Sequence, residues 1–384
     1  MKILYLNPGG SAQGGAERSL ALLIAGLVGR GHRAYVKLLA PGDAASLFSD
    51  AGATIVHSES RAVLARVRRH SSPLSFMREA AASAPEAVRV AQRIRRLARD
   101  LEADIVHSNG FRSHVLAPLI RPGGPPNVWS LRDVAPVPLP RAALRLSSRA
   151  VAAIAANSGA TAVQLAGRRN VEVVPNPVAD FGTLPDRRDA RARLGLPADR
   201  PILAVVAHIH PTKGHHVAIE SVGCWPRSCR PLLVVAGASI YPGSEPYETR
   251  LRRHIREREL ERDVILLGGV EEVRHVYAAA DILLHPALHP EGFARVVVEA
   301  QLVGVPVVAT GVGAVVELIE DGTTGMLVPP SDPLALHAAV DALLSDPVAT
   351  RVLSARARSA AARFAPERHV HAIEALYQRV VAVA

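Results

Sequence analysis

Cysteine, lysine and aromatic residues are scarce in this 384-residue sequence. The two cysteines, Cys224 and Cys229, are too few for a disulfide framework or a four-cysteine zinc site, a content typical of a reduced cytoplasmic protein. Aromatic residues make up 4 %, too little for nucleic-acid stacking platforms, and no known DNA- or RNA-binding motif is present. No run approaches the roughly 20 apolar residues of a transmembrane helix. The sequence therefore predicts a cytoplasmic protein that does not bind nucleic acid.

The charge of the chain is positive and unevenly distributed. There are 45 Lys and Arg residues and 35 Asp and Glu residues, a formal net charge of +10. Residues 1–180 have a net charge of +11 and residues 181–384 a net charge of −1. Ten arginines and two glutamates lie within 61–99. This basic face is suited to an anionic membrane or an anionic substrate, and a solvated arginine-rich surface is the alternative.

Short apolar runs alternate with amphipathic helical patterns along the chain. Near-continuous apolar strands separated by helices predict parallel sheets that are covered on both faces. The predicted strands lie at 2–6, 34–39, 54–57, 104–107, 127–131, 151–155, 171–174, 202–207, 232–236, 264–267, 282–285, 305–309 and 326–328. We therefore expect an α/β fold with doubly wound sheets.

The alternation is interrupted once, by a polar and proline-bearing segment at 181–200 that predicts a linker. The pattern before and after it predicts two Rossmann-like domains, residues 1–180 and 181–365, with the ligand in the cleft between the carboxyl ends of their strands. The final helix, at 366–381, is long and amphipathic and is expected to pack on an open sheet face.

A glycine-rich loop follows the first predicted strand. Residues 7–17 read Asn-Pro-Gly-Gly-Ser-Ala-Gln-Gly-Gly-Ala-Glu and lead into a helix. The backbone N–H groups and the dipole at a helix start attract phosphate. The spacing is neither that of a Walker A motif nor the GxGxxG pattern of dinucleotide-binding folds, so a flexible turn is the alternative.

Lys213 is exceptional in a chain that otherwise uses arginine. Of the 45 basic residues 42 are arginine, and the other two lysines are Lys2 and Lys37. Lys213 follows a predicted strand, in the segment Ala-His-Ile-His-Pro-Thr-Lys-Gly at 207–214. An ammonium group is a compact point charge, which favours a contact with a diphosphate where the planar arginine fork would not fit. The alternative is an exposed cation at the start of a helix.

Two glutamates follow the strand predicted at 282–285. Glu291 lies in the loop at the carboxyl end of that strand, and Glu299 lies eight residues later, about two helical turns further on roughly the same side. Carboxylates accept hydrogen bonds from sugar hydroxyls, and the helix start offers N–H groups to an anion. The alternative is that Glu291 caps the helix and Glu299 is buried in a local ion pair.

These segments together resemble the retaining glycosyltransferases of family 4, which have the GT-B fold. Glu291 and Glu299 are similar to the Glu-x7-Glu motif of that family, and the sequence Gly-Gly-Ala-Glu at 14–17 is similar to its Gly-Gly-x-Glu opening. Further similar blocks lie at 174–178, 280–286 and 304–325. The resemblance extends over nearly the whole chain. It implies that the C-terminal helix, 366–384, crosses back to the first domain.

The resemblance implies a role for each matched residue of the second domain. Lys213 and His208 would contact the diphosphate of the donor, and Glu291 would approach the hydroxyls of the donor sugar. Glu299 would hold the nucleotide ribose. Backbone N–H groups near the donor sugar would come from Gly292 and Phe293.

In the first domain the resemblance assigns Gly14 and Gly15 to the donor phosphates, across the cleft. His107 would lie near the transferred sugar and the acceptor. The predicted catalytic residues are therefore Glu291, Lys213 and His107.

Three positions depart from the family pattern. His208 stands where the family usually has an arginine, and a histidine is only partly charged near neutral pH, so His210 is a possible second contact. Ala294 replaces a glycine. Asn109 replaces the second histidine of a His-x-His motif, which leaves His114 as a rival to His107.

The implied activity is transfer of a sugar from a UDP- or GDP-linked donor, with retained configuration, to a hydroxyl of a small molecule, natural product or glycolipid. The chain has no Asp-x-Asp sequence, so neither a metal nor a cofactor is expected. Peripheral contact with the inner membrane face is a further expectation. The alternatives are a nucleotide-sugar epimerase of the same fold and a non-catalytic nucleotide-sugar-binding protein. A nicotinamide dehydrogenase would need a fingerprint that this chain lacks.

Overall fold

A computed structural model describes residues 1–9, 11–12, 14–58, 73–135, 138–239 and 245–383 of the chain. The chain forms two compact units. The first is made of Met1–Val178 and Phe364–Ala384, and the second of Ala179–Arg363. No helix among the described residues is both long enough and apolar enough to cross a membrane.

Each unit is built on one parallel sheet. In the first sheet the order is β3-β2-β1-β4-β5-β6-β7, with the strands Lys2–Asn7 (β1), Arg33–Leu38 (β2), Thr54–Ser58 (β3), Ile105–Ser108 (β4), Asn127–Leu131 (β5), Ala153–Ala156 (β6) and Val171–Val173 (β7). In the second sheet the order is β10-β9-β8-β11-β12-β13, with the strands Ile202–Val206 (β8), Leu232–Ala236 (β9), Val264–Gly268 (β10), Ile282–His285 (β11), Val307–Thr310 (β12) and Met326–Val328 (β13). Each strand overlaps one predicted from its apolar run, so the predicted doubly wound fold is confirmed.

Helices cover both faces of the sheets. In the first unit they are Gly15–Gly29 (α1), Ala44–Asp50 (α2), Pro73–Asp100 (α3), Phe111–His114 (α4), Ala117–Ile120 (α5), Pro138–Ser147 (α6) and Gly159–Ala162 (α7). In the second unit they are Arg187–Arg193 (α8), His215–Gly223 (α9), Glu245–Glu257 (α10), Val273–Ala279 (α11), Arg295–Leu302 (α12), Val315–Leu318 (α13), Pro333–Ser345 (α14) and Pro347–Ala361 (α15). The chain ends in Pro366–Val383 (α16), and short 3-10 turns lie at Ser148–Ala150, Val163–Leu165, Pro211–Lys213 and Ala362–Phe364.

The order of strands reverses between β1 and β4 in the first sheet and between β8 and β11 in the second. At such a switch point the loops at the carboxyl ends of the two strands separate and leave a crevice, which is the usual ligand site of an open parallel sheet. The loops after these four strands therefore hold the candidate site residues.

Two predictions from the sequence are wrong in detail. The segment at 181–200 was expected to be a linker, but it contains α8, whose Arg191 is buried and donates a hydrogen bond to Asp281 over 2.8 Å. The amphipathic pattern at 85–101 predicts a helix that starts at Pro85, but the helix starts at Pro73 and Pro85 lies inside it. Phe76, before that proline, is buried in the same apolar cluster as Ile94 after it, so packing outweighs the helix-breaking effect of proline.

The C-terminal helix packs on the first unit, as expected. Ile373 and Tyr377 of α16 are fully buried in the same core as Leu20 of α1. At the edge of this contact Glu374 pairs with Arg30 and His32, each over 2.8 Å. The C-terminal helix therefore belongs to the same hydrophobic core as the first helix of the chain.

Candidate functional site

Two of the predicted catalytic residues are in direct contact. Lys213 ends the 3-10 turn after β8, and Glu291 lies in the loop between β11 and α12. The Nζ atom of Lys213 donates a hydrogen bond to Oε1 of Glu291 over 2.6 Å. The structure therefore joins two residues 78 positions apart at the carboxyl edge of the second sheet, beside its switch point.

Close backbone packing fixes this pair. Gly214 has a φ of +68°, and a Cβ atom there would lie 1.9 Å from the carbonyl oxygen of Pro286. A Cβ on Gly313, in the loop after β12, would lie 2.5 Å from the backbone nitrogen of Glu291. The N–H group of Ala314 donates to the carbonyl of Glu291 over 3.0 Å. Three loops of the second unit therefore hold Lys213 and Glu291 in place, and only glycine fits at the closest contacts.

The carboxyl group of Glu291 is held ionised by its neighbours. Burial would raise its pKa, but the positive charge of Lys213 and a contribution from His285 outweigh burial and lower it. The Nε2 atom of His285 lies 3.7 Å from Oε1 of Glu291. The site thus presents a fixed ammonium–carboxylate pair, which can bind a phosphate oxygen on one side and sugar hydroxyls on the other.

His208 contributes no fixed charge to this site. It is half-buried at the end of β8, with its ring 6.1 Å from that of His210. Burial, together with the charges of Lys213 and His210, lowers the pKa of His208 to about 4. The ring is therefore neutral at pH 7 and can donate one hydrogen bond without acting as a second cation.

Glu299 is buried and already bonded within the second unit. Its Oε2 atom accepts a hydrogen bond from the hydroxyl of Tyr277 over 2.8 Å, and its Oε1 atom lies 3.3 Å from a guanidinium nitrogen of Arg295. The alternative stated for this residue, a buried local ion pair, is what the structure contains. Its contact with ribose remains a prediction. Gly292 and Phe293 lie just before α12, near the start of the same helix.

Gly9 and Gly14 of the glycine-rich segment lie against the side chain of Glu17, the last residue of the Gly-Gly-Ala-Glu motif, for which no role was predicted. A Cβ atom on Gly9 or on Gly14 would lie 1.9 Å from one of the carboxylate oxygens of Glu17. Burial raises the pKa of Glu17, against the effect of a hydrogen bond with Asn7. The carboxylate of Glu17 therefore leaves no room for a side chain at Gly9 or Gly14, which explains why glycine is found at both positions. The phosphate contacts of Gly14, and of Gly15 at the start of α1, remain predictions.

His107 is fully buried in the first unit, and both its ring nitrogens are bonded there. Its Nδ1 atom lies 2.5 Å from the hydroxyl of Tyr377 and its Nε2 atom 2.8 Å from that of Ser130. Burial, and then the charge of Arg132, hold its pKa well below the usual value. This geometry is typical of a structural histidine, and the contact with the sugar remains a prediction. The rival His114 is also buried, with its ring stacked on Trp129.

Arg132 is a buried residue at the sheet edge that the sequence analysis missed. It directly follows β5, and its side chain donates hydrogen bonds to Asn109 and Asn176. Its position directly after a predicted strand could have identified it from the sequence. It did not stand out because the chain contains 42 arginines.

The structure describes part of the predicted basic face. Arg61, Arg66, Arg68 and Arg69 lie outside the described residues. Arg78, Arg89, Arg93, Arg96 and Arg99 are exposed on α3, and Arg95 is half-buried there. In the described part of the chain there is also no cluster of three or more metal-ligating side chains.

Comparisons with known proteins cover both units. The model of Glycosyltransferase Family 4 matches residues 13–180, and that of Glycosyl transferases group 1 matches residues 186–362. Among curated proteins, the D-inositol 3-phosphate glycosyltransferase of Kineococcus radiotolerans is 34 % identical over 55 % of this chain and 52 % of its own length. That of Xylanimonas cellulosilytica is 35 % identical over 50 % of this chain and 48 % of its own length. The chain therefore spans about half the length of the curated relatives it matches.

Solved structures match over the whole length. HepE of Anabaena, in complex with UDP, has a TM-score of 0.82 and 25 % identity over 99 % of this chain and all of its own. HepE with UDP-glucose has a TM-score of 0.79 and 26 % identity over 100 % of this chain and 99 % of its own. The sucrose-phosphate synthase of Thermosynechococcus elongatus shares the fold at 19 % identity, with a TM-score of 0.79 over the full length of both chains. With its two parallel sheets and both family matches, the chain belongs to the family 4 glycosyltransferases of the GT-B fold.

Proposed function

We propose that the protein transfers a sugar from a UDP- or GDP-linked donor to an acceptor hydroxyl, with retained anomeric configuration. The observation that carries the proposal is the Lys213–Glu291 pair at the carboxyl edge of the second sheet. The complexes of HepE with UDP and with UDP-glucose support it, because HepE matches this chain over its whole length. The relatives named for D-inositol 3-phosphate support an acceptor that carries hydroxyl groups.

The chemistry assigned to the site is electrostatic. Lys213, with the N–H groups of Gly292 and Phe293, stabilises the negative charge that develops on the departing diphosphate. Glu291 accepts hydrogen bonds from the donor sugar and orients it, and neutral His208 donates one to the diphosphate. Glu299, oriented by Tyr277, holds the ribose. Retention follows from attack of the acceptor on the face that the diphosphate leaves, so no nucleophile of the enzyme, no metal and no cofactor is required.

Ligand binding and donor turnover test the function. UDP or GDP should raise the melting temperature and NAD should not, because a ligand stabilises only the folded state that binds it. A panel of UDP-, GDP- and dTDP-sugars is then screened for release of the nucleotide, with and without acceptors. An epimerase would change the sugar without transferring it, and a non-catalytic binding protein would be stabilised without turnover. Stabilisation by NAD alone would contradict the proposal.

We also propose peripheral contact with anionic membranes, supported by the exposed arginines of α3, among them Arg89, Arg93 and Arg96. Their attraction to anionic lipid is screened by salt. Vesicles containing phosphatidylserine should therefore co-sediment the protein at about 0.1 M salt and much less at about 0.5 M. Absence of binding at both salt concentrations would exclude this contact.

A further inference from the structure

His285 has a buried ring nitrogen that no described residue bonds. His285 is the last residue of β11, where its backbone pairs with Ala309 of β12, and it is 4 % exposed. Its Nε2 atom has no hydrogen-bond partner within the described residues. Most buried polar atoms in proteins are bonded, so an unbonded one beside a candidate ligand site requires an explanation.

This nitrogen lies beside the carboxylate that Lys213 binds. Nε2 of His285 is 3.7 Å from Oε1 of Glu291, and Nζ of Lys213 is 2.6 Å from the same oxygen atom. A separation of 3.7 Å is too long for a hydrogen bond, and side-chain rotations that bring the two atoms about 1 Å closer would form one. Two nitrogen atoms therefore flank one carboxylate oxygen, and one of them is bonded to it.

Glu299 shows how another buried carboxylate of the second unit is held. Its Oε2 atom accepts a hydrogen bond from Tyr277 over 2.8 Å, and its Oε1 atom accepts one from Arg295 over 3.3 Å. Among the described residues, the carboxylate of Glu291 accepts a hydrogen bond from Lys213 alone. Glu299 thus has a partner at each oxygen, whereas Glu291 depends on one ammonium group.

Binding of a nucleoside diphosphate changes the surroundings of Glu291. In the proposed function Lys213 contacts the diphosphate, whose negative charges compete with Glu291 for the ammonium group. Lys213 is the main group that lowers the pKa of Glu291 against the effect of burial, and His285 contributes more than His208. When the ammonium group turns to the diphosphate, a mostly buried carboxylate needs another donor in order to stay ionised.

The ring of His285 is suited to be that donor. Burial lowers its pKa, against the effect of the charge of Glu291, so the ring is neutral at pH 7. A neutral imidazole carries one N–H group, and with the proton on Nε2 it can donate to a carboxylate. Because its backbone is fixed in the sheet, only the side chains have to rotate.

We propose that His285 is a positioning residue, which donates a hydrogen bond from Nε2 to Oε1 of Glu291 when Lys213 binds the diphosphate of the donor. The inference rests on the function proposed above and adds a residue to the same site. His285 keeps the carboxylate of Glu291 ionised and directed at the hydroxyls of the donor sugar. It does not touch the substrate and takes no part in the bond changes.

A double-mutant cycle on UDP affinity tests the inference. His285→Leu is compared with the wild type, and Glu291→Gln plus His285→Leu with Glu291→Gln. We expect His285→Leu to weaken UDP binding at least about tenfold in the wild-type background, because Glu291 then retains Lys213. In the Glu291→Gln background the same change should alter the affinity less than about twofold, because a neutral amide needs no counter-charge.

The position of one N–H group separates positioning from packing. His285→Gln places an amide nitrogen near the position of Nε2, and His285→Asn places one near that of Nδ1. We expect His285→Gln to bind UDP within about threefold of the wild type and His285→Asn to bind it at least about tenfold more weakly. These two variants are the decisive pair if His285→Leu does not fold.

His337→Leu is the matched control. The Nδ1 atom of His337 is also buried and unbonded within the described residues, but the ring packs on Trp225, with 4.0 Å between the ring centroids. His337→Leu should leave the affinity for UDP unchanged, even where it lowers the melting temperature.

Three results would overturn the inference. They are equal UDP affinity of His285→Leu and the wild type, an equal loss in the two backgrounds, and equal affinities of His285→Gln and His285→Asn. GDP replaces UDP in every titration if the wild type binds GDP more tightly. Failure of the proposed function is a separate result, since the wild type would then bind neither nucleotide and would turn over no nucleotide sugar.

Discussion

The ammonium group of Lys213 donates a hydrogen bond to Glu291, in a chain whose other basic residues are almost all arginine. The Lys213–Glu291 hydrogen bond of 2.6 Å leaves the charge of each group next to the other in a half-buried loop. Arginine at 213 would bring a wider, planar group to the same carboxylate. An ammonium group is the more compact cation for this contact.

The low pKa of Glu291 leads to a prediction about pH. A carboxyl group whose pKa is lower in the folded than in the unfolded state adds stability above the unfolded pKa, and this stability is lost as pH falls through the folded value. The wild type should therefore be more stable than Glu291→Gln near pH 7, and the difference should shrink below about pH 4.5. Urea unfolding across this range measures it.

The exposed pair of Lys2 and Glu102 provides the control for that series, because solvent screens it. Glu102→Gln should change the pH dependence of the free energy of unfolding much less than Glu291→Gln does. If the difference in free energy of unfolding between the wild type and Glu291→Gln stays constant down to pH 3, the carboxylate of Glu291 is not held ionised by Lys213.

At the scale of the elements, Gly214 is the tightest point of the turn that presents Lys213. Alanine at Gly214 must adopt a φ of +68° and place Cβ 1.9 Å from the carbonyl oxygen of Pro286. Gly195 has nearly the same φ, +66°, with nothing within 4 Å of the position of Cβ. The two glycines therefore separate the cost of the backbone conformation from the cost of the clash.

We predict that Gly195→Ala lowers the free energy of unfolding by about 1–2 kcal/mol, the cost of the left-handed conformation. Gly214→Ala should lose about 1–3 kcal/mol more, because the loop at Pro286 has to move. Only Gly214→Ala should weaken UDP binding. Urea unfolding and UDP titration of both variants check this, and equal losses in the two would show that the Pro286 contact does not constrain the turn.

The elements also show how far the sequence was predictive. Strands were found because buried parallel strands are continuous apolar runs, which are visible locally. The part of α3 before Pro85 was not predicted from the sequence, and neither were α8 and α15. A proline in the first case, and a charged, alanine-rich surface in the others, weakens the helical pattern. The places of Lys213 and Glu291 after strands of the second sheet could be predicted from the sequence, but their hydrogen bond to each other could not. The bond of Tyr277 to Glu299 and the orientation of Arg132 could not, because they depend on packing between distant segments.

For the whole molecule, each unit has its own core, and α16 belongs to the first. Ile373 of α16 is fully buried with Leu20 and Tyr377, so Ile373→Ala should destabilise the first unit by about 2–5 kcal/mol. UDP at about 100 times its Kd should add about 2.7 kcal/mol to the unit that binds it. Calorimetry should therefore show two transitions, one lowered by Ile373→Ala and the other raised by UDP.

Val381→Ala is the matched control on the same helix, because Val381 is 38 % exposed. It should leave both transitions nearly unchanged. A single transition that moves as one with both Ile373→Ala and UDP would contradict the division into two units with separate cores.

Donor turnover by two lysine variants is the most direct test of the central claim, that Lys213 stabilises a departing nucleoside diphosphate. Lys2 also forms a 2.6 Å ion pair with a glutamate, but on the exposed surface of the first unit, so Lys2→Gln is the matched control. With the preferred nucleotide sugar, Lys213→Gln should lower kcat/KM by about 100- to 1,000-fold, and Lys2→Gln should leave it unchanged. Turnover by Lys213→Gln within about threefold of the wild type would contradict the account.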